Sequence, residues 1–243
     1  MVKKLDGVFE KVAKAKENAE KNLQNSKELF EAYQREVFVN ANNDWNWKTL
    51  GEIATFRNGL NFTKGSKGEV IKIVGVRDFQ KSFLVPFESL ASVTIDGKLN
   101  EIDLLKKDDI LTVRSNGNPE LIGRTLLAQN VEGKISHSGF TIRIRLNSQH
   151  VYPVYLCHYL KSKEARQSMV NSGTGINIKS LNQVALSSLT IPLPPLSKQK
   201  TIVKKLNTLS EQTKKLELNY QYKLADLEEL KKSVLSKAFT GGL

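Results

Sequence analysis

Cysteine is almost missing from this chain: there is one, Cys157, in 243 residues. A lone thiol cannot close an internal disulfide, and Cys157 lies in the apolar-flanked run Tyr155-Leu156-Cys157-His158-Tyr159, so it reads as a small core residue. No apolar run reaches the roughly 18 residues that a membrane-spanning helix needs. The opening Met-Val-Lys-Lys-Leu-Asp-Gly continues as a charged amphipathic stretch and lacks the apolar heart of a signal peptide. Together these point to the cytoplasm. His137, His150 and His158 have no ligand spacing, and no Gly-x-x-x-x-Gly-Lys phosphate loop occurs, so neither metal nor cofactor is expected. The Asn-Pro-Pro-aromatic and Asp-Pro-Pro-Tyr tetrapeptides of amino-group methyltransferases are missing too; Asn118-Pro119-Glu120 does not fit. Glu88 followed by Asp96-Gly97-Lys98 faintly mimics a metal-dependent nuclease, but Asp96-Gly97 reads more simply as a turn.

Positive charge is what the chain has in excess. The net charge is +12 and the isoelectric point about 9.6, which calls for a polyanion or an acidic protein as partner. Residues 1–40 hold 8 Lys/Arg against 7 Asp/Glu, residues 41–195 hold 19 against 13, and residues 196–243 hold 10 against 5. The excess therefore sits in the middle and in the last segment, and nucleic acid is the leading reading.

The two ends repeat one another. A shift of 201 positions, with no gap, lays Val2-Lys3-Lys4-Leu5 on Val203-Lys204-Lys205-Leu206, Glu28-Leu29 on Glu229-Leu230, and Phe38 on Phe239. In the first copy apolar or small residues recur at Leu5, Val8, Val12, Ala15, Ala19, Leu23, Ser26, Leu29, Tyr33 and Val37. In the second they recur at Ile202, Leu206, Leu209, Thr213, Leu216, Tyr220, Leu224, Leu227, Leu230, Val234 and Ala238. Steps of three and four predict two helices of about 57 Å joined along a coiled-coil seam. Asn40 to Asp44 breaks the first helix, Ile191-Pro192-Leu193-Pro194-Pro195 is a stiff lead into the second, Ser197 is its expected cap, and Gly241-Gly242 ends it.

The body between them is of mixed character. Glu69–Val76, Ile110–Val113, Thr141–Leu146 and Ser188–Pro192 read as strands, 153–171 as a helix begun by Pro153, and 178–186 as a weaker one. The expected fold is α+β: a globular domain at 41–194, flanked by helices at 1–40 and 195–243 that pair as an antiparallel coiled coil. Four polar turn segments stand beside the strands: 56–62, 75–81, 114–118 and 173–179. Each alone is simply a turn. Their Arg, Asn, Gln and Lys side chains are nevertheless the types that read base edges, and on a basic body their number favours DNA.

The stretch Ile191-Pro192-Leu193-Pro194-Pro195-Leu196-Ser197-Lys198-Gln199, running on to Lys204-Lys205-Leu206, resembles a segment of the specificity (S) subunits of type I restriction–modification systems. Trp47-Lys48-Thr49-Leu50-Gly51-Glu52, Asp109-Ile110-Leu111 leading into Arg114-Ser115 and Gly123-Arg124, and the ending Leu235-Ser236-Lys237-Ala238-Phe239-Thr240-Gly241 match the same family in order. The resemblance implies a non-catalytic target-recognition domain that reads half of a split DNA site. It also implies helices that act as a ruler and dock methyltransferase (M) subunits and, through them, restriction (R) subunits. Family members usually alternate two such domains with two such helices. Here one domain lies between two helices, as in a half-length subunit or the second half of a full one; for a natively half-length chain a homodimer with twofold symmetry is expected. On loop position and this analogy the DNA-contact candidates are Arg57, Asn58, Arg77, Lys81, Arg114, Asn116, Asn118, Arg124 and Lys179. The competing readings are a nuclease using Glu88, Asp96 and Lys98, and a coiled-coil adaptor for an acidic protein.

Overall fold

The elements of the computed structural model, which describes residues 2–39, 45–80, 82–171 and 180–240, follow the distribution of proline and of β-branched residues. In chain order they begin α1 (Val2–Val39), β1 (Asn46–Thr49), α2 (Leu50–Ile53), β2 (Ala54–Asn58), β3 (Val70–Val74), β4 (Ala91–Thr94), β5 (Ile110–Val113) and β6 (Thr125–Leu127). They continue with β7 (Ile135–His137), β8 (Thr141–Leu146), α3 (Pro153–Leu160), α4 (Lys163–Asn171), α5 (Gln183–Ser187), β9 (Thr190–Leu193) and α6 (Leu196–Phe239). Packing divides the chain into two compact units, Met1–Gln34 with Lys204–Leu243, and Arg35–Val203.

The first unit is made of α1 and α6. Its seam is a strict heptad: Leu5, Val12, Ala19, Ser26 and Tyr33 in α1 correspond, under the 201-residue shift, to Leu206, Thr213, Tyr220, Leu227 and Val234 in α6. Val12, Ala19, Ser26, Leu206 and Thr213 are buried and the others half-buried. The hydroxyls on the seam stay satisfied by back-bonding, Ser26 Oγ donating to Asn22 O at 2.7 Å and Thr213 Oγ1 to Leu209 O at 2.9 Å. α1 leaves the unit at its C-terminal end and α6 enters it at its N-terminal end, so the two run antiparallel. Lys16 Nζ meets the Glu228 carboxylate at 2.5 Å between the helices, an exposed pair that adds little stability. Val8, Leu29, Leu216 and Leu230 were expected on the seam and are exposed instead. Two helices cover only part of each apolar stripe, and these residues lie on the part left open.

The second unit carries three sheets. β1 pairs antiparallel with β9, Trp47 opposite Pro192, so its first and last strands are neighbours. A four-stranded antiparallel sheet runs β2-β8-β5-β6, and a three-stranded one runs β4-β3-β7 with β3 and β7 parallel. Val74, Phe79, Val85, Leu105, Leu111 and Leu126 are among the residues of one buried core between these sheets. α3 and α4 bury Tyr155, Leu156, Leu160 and Met169, and Phe38 meets the Tyr155 and Tyr159 rings edge-on at 5.7 and 5.4 Å.

The proline motif has a physical explanation. Pro195 O accepts from the backbone amides of Lys198 (2.8 Å) and Gln199 (3.0 Å), which makes Pro195 rather than Ser197 the residue that caps α6. Gln199 is completely buried. Its Oε1 accepts from Tyr152 N at 2.8 Å, while its Nε2 donates to His150 O at 2.9 Å and Pro194 O at 2.8 Å. One side chain thus ties the first turn of α6 to the end of β9 and to the loop before α3.

The strands at 110–113 and 141–146 agree with the sequence expectation; β3 and β9 are shifted by one to two residues. The helix expected over 153–171 is two helices, because Ser162 ends one and caps the next: its Oγ accepts from Ala165 N at 3.3 Å. The expected break at Asn40 to Asp44 and the Gly241-Gly242 stop lie outside the described residues. Among those described, no helix is long and apolar enough to cross a membrane. Replacing Gln199 by Ala leaves a buried amide and two carbonyls without partners, and thermal or urea unfolding should show a loss on the order of 3 kcal/mol. Gln199→Glu should cost a comparable amount, since it sets a carboxylate against two carbonyl oxygens.

Candidate functional site

Of the polar turns singled out in the sequence, those at 56–62, 75–80 and 114–118 come together at one end of the two larger sheets. β2 ends at Asn58, β5 ends at Val113, and β8 begins at Thr141 opposite Val113, so all three meet at the same sheet end. β6 starts there as well, with Val113 N donating to Arg124 O at 2.9 Å. The three-stranded sheet points the same way: Ser138 N donates to Val74 O at 3.0 Å, which brings the turn after β3, Gly75 to Phe79, to this end. Arg114 N and Ser115 N both donate to Phe140 O, at 2.8 and 3.3 Å, and Gly139 N donates to Leu60 O at 2.7 Å. Asn58-Gly59 reads in the sequence as a turn, but glycine is needed for another reason. A Cβ on Gly59 would stand 2.2 Å from Ser138 O, where two backbones cross.

The individual candidates differ in how far the protein itself uses them. Arg57 pairs through Nε with Asp103, which holds its guanidinium above the usual range. Asn58 Oδ1 accepts from Gln183 Nε2 at 3.1 Å. Asn116 Oδ1 accepts from Asn118 N at 2.8 Å, and Asn118 Oδ1 from Glu120 N at 2.9 Å, so these two shape the loop after β5. Arg124 donates to three carbonyls, Glu120 O at 3.1 Å, Phe79 O at 3.4 Å and Gln80 O at 3.0 Å. Arg77 is 65 % exposed at its side chain and pairs with the neighbouring Asp78, at 3.6 Å. Arg114 has no side-chain partner among the described residues. Lys81, Lys179 and the segment 173–179 lie outside the described residues.

Sequence reasoning passed over several groups. Phe140, one residue before β8, is 61 % exposed although its backbone is fixed by Arg114 and Ser115. An aromatic directly after a glycine at a strand start was the available signal. Gln183 was overlooked as the partner of Asn58. Lys161 and Arg166 lie in the segment read as one helix; both reach back to carbonyls around β6.

Beneath this end lies a charged layer. Arg143 stands directly opposite Arg57 across β8 and β2 and is 4 % exposed. Its Nη1 donates to Ile102 O (2.8 Å) and Leu104 O (3.3 Å), while its Nε has no partner among the described residues. Burial pulls its pKa below the ordinary value, with Arg145 adding to the effect. Arg145 is held in a two-pronged pair by Asp109, both contacts at 2.7 Å. Next to them His137 is buried, its Nδ1 2.9 Å from Thr141 Oγ1; burial first, then Arg143, pushes its pKa down to about 3.

Asp96 accepts from Lys67 N and the Ser66 hydroxyl, both at 3.1 Å, and stabilises a loop; Gly97 has a φ of +73°. No three His, Cys, Asp or Glu side chains gather to hold a metal among the described residues.

Residues 42–225 match the family model for the type I restriction modification DNA specificity domain. The chain belongs to this family. It is 30% identical over 204 residues to the type I restriction enzyme StySPI specificity subunit of Salmonella potsdam, covering 82% of this chain and 43% of that protein. It is 22% identical over 205 residues, with the same coverage, to the EcoKI specificity subunit of Escherichia coli strain K12. This member of the family therefore spans less than half the length of the curated relatives it matches. Its fold is that of the HsdS subunit from Thermoanaerobacter tengcongensis, with a TM-score of 0.67 and 21% identity over 100% of this chain and 57% of that one. A chain from a solved structure on complex assembly and conformational transition of the type I R-M system gives 0.79, also at 21% identity, covering 58% of its own length.

The buried histidine gives a pH signature for the specificity domain. His137 titrates near 6.5 in an unfolded chain and near 3 when folded, so between these values the unfolded state binds the extra proton. Stability from this group is complete above pH 6.5 and falls as pH drops towards 3, by at most about 1.4 kcal/mol per pH unit. Urea unfolding as a function of pH should show this slope, and His137→Gln should remove it.

Proposed function

We propose that this chain supplies DNA sequence specificity to a type I restriction–modification complex and performs no bond chemistry of its own. Its second unit, Arg35–Val203, reads one half of a bipartite duplex target. The observation that carries this reading is Arg114, whose side chain has no partner among the described residues, hydrogen-bonded through its backbone to the exposed Phe140 at the sheet end where the described polar turns converge. Arginine reads guanine through O6 and N7, and an aromatic edge suits the thymine methyl. Asn58 and Gln183, already joined to each other, present amide groups of the kind that read adenine. Arg77 faces the same partner, with Lys81 and Lys179 as phosphate contacts. Arg57, Asn116 and Asn118 act indirectly, by holding the loops.

The paired helices serve as the spacer and as the dock for methyltransferase subunits, which bring restriction subunits with them. Val8, Leu29, Leu216 and Leu230, exposed along these helices, are apolar surface of the sort that a docking partner covers. One recognition unit reads few base pairs, so a second unit must complete the target. A second copy of this chain, related by a twofold axis, supplies it with the same helices facing each other.

Selection of binding sites from random duplex DNA by the chain with its methyltransferase partner tests the proposal. A defined sequence should be enriched; enrichment of none would leave only an adaptor role. In the same assay Arg114→Ala should relax preference at one base pair by about 1–3 kcal/mol and leave the other positions unchanged. A uniform loss at every position would contradict base reading by Arg114.

A further inference from the structure

Asparagine is followed by glycine twice in this chain, at Asn58-Gly59 and Asn116-Gly117, and both pairs stand at the recognition end. In such a pair the main-chain nitrogen of glycine can attack the asparagine Cγ. The N–Cγ bond forms and ammonia leaves; water then reopens the cyclic imide at either carbonyl, giving aspartate or isoaspartate. Glycine favours the step because no Cβ shields its nitrogen or restricts its backbone. The product carries a negative charge where the amide carried none.

The fold treats the two pairs differently. Asn58 is the last residue of β2 and is paired with Ile142 of β8. Gly59 N donates to Thr141 O at 3.2 Å, and a Cβ on Gly59 would stand 2.2 Å from Ser138 O, so this backbone has no room to turn into the ring. Asn58 Oδ1 is held as well, by Gln183 Nε2 at 3.1 Å. Asn116-Gly117 lies beyond the end of β5, outside every ladder. Gly117 is exposed, and its nitrogen donates to no group among the described residues. Asn116 Oδ1 accepts from Asn118 N at 2.8 Å. That bond closes a circuit of atoms from Asn116 Cγ through its Cβ, Cα and carbonyl carbon to Gly117 N, and on to Asn118 N. Every atom of the imide ring lies on this circuit, so Cγ is already folded back towards the nitrogen that attacks it. The donated hydrogen bond also polarises the Cγ carbonyl.

We infer that Asn116-Gly117 is a self-modification site: Gly117 N cyclises onto Asn116 Cγ, and the resulting acid weakens the recognition loop, while Asn58-Gly59 stays intact. The site stands on its own geometry; the consequence for DNA rests on the function proposed above. A carboxylate in the loop that follows Arg114 repels the phosphates of a duplex. Isoaspartate, whose main chain runs through Cβ, also removes the Asn116–Asn118 bond that shapes the turn.

Two arms on the full chain separate the site from its consequence. In the first, the chain is aged in heavy-oxygen water and its peptides are mapped by mass. The peptide spanning 114–118 should take up the label and divide into aspartate and isoaspartate forms, while the peptide holding Asn58 remains an amide. In urea both should convert at similar rates. Conversion in the folded chain as fast at Asn58 as at Asn116, or none at Asn116, overturns the site. Gly117→Ala adds a methyl group that meets nothing within 4 Å, and it should slow the reaction at Asn116 severalfold. An undiminished rate would mean direct hydrolysis of the side chain and overturn the cyclic route. In the second arm, duplex binding with the methyltransferase partner is compared before and after ageing. Aged wild type should bind about 5- to 10-fold more weakly, with a slope of log affinity against log salt shallower by about 1, and aged Gly117→Ala should match its own fresh sample. Aged wild type that binds like fresh protein overturns the effect on the loop. Fresh protein that binds no duplex refutes the DNA-reading function and leaves the modification site standing.

Discussion

Closure of the second unit at its own ends is the constraint on which the remainder depends. Backbone pairing of Asn46–Thr49 with Thr190–Leu193 puts the entering and leaving segments one strand spacing apart, about 4.8 Å. Gln199 then locks the leaving side, because its amide satisfies a backbone donor and two backbone acceptors that are otherwise buried. Helical and extended stretches meet at Pro194-Pro195, and proline supplies the fixed turn without needing a donor of its own. A domain whose ends coincide can sit between two helices without disturbing their heptad register. The 201-residue repeat is the sequence trace of that register: Val12 and Thr213, or Ser26 and Leu227, occupy the same column of one seam.

Much of this was legible in the sequence, and the reasons differ by element. The helices were plain because α1 contains no proline and α6 contains none after Pro195, and their apolar steps recur over about ten turns. The strand Thr141–Leu146 was plain from its alternation, which says nothing of what its arginines meet. Arg143 and Arg145 look solvent-facing in a Thr-Ile-Arg-Ile-Arg-Leu run, yet carbonyls of the 101–104 turn and the Asp109 carboxylate bring them inside. Such pairing joins residues 36 to 41 positions apart, and no local pattern announces it.

The same limit shaped the reading of the candidate site. Turn chemistry showed where polar loops stand, and the sheet topology that brings 58, 75–79, 114–118 and 124 to one end is non-local. Side-chain type alone could not separate a residue that reads from one that builds. Asn116 and Asn118 have base-reading chemistry but form consecutive backbone-capping turns, whereas Phe140, with no polar chemistry at all, is displayed. The division of labour is electrostatic as well as geometric. Arg57, Arg143 and Arg145 are paired or capped beneath the site, and the Arg114 side chain has no partner among the described residues.

A closed unit with coincident ends should be transferable, and its sequence preference should travel with it. Residues 45–193 can be grafted in place of one recognition domain of a full-length family member, and the methylated sites of the host genome sequenced. The account predicts that one half of the bipartite motif changes to a new sequence while the other half and the gap between them stay the same. An unchanged motif, or a change in both halves and the gap together, would contradict it.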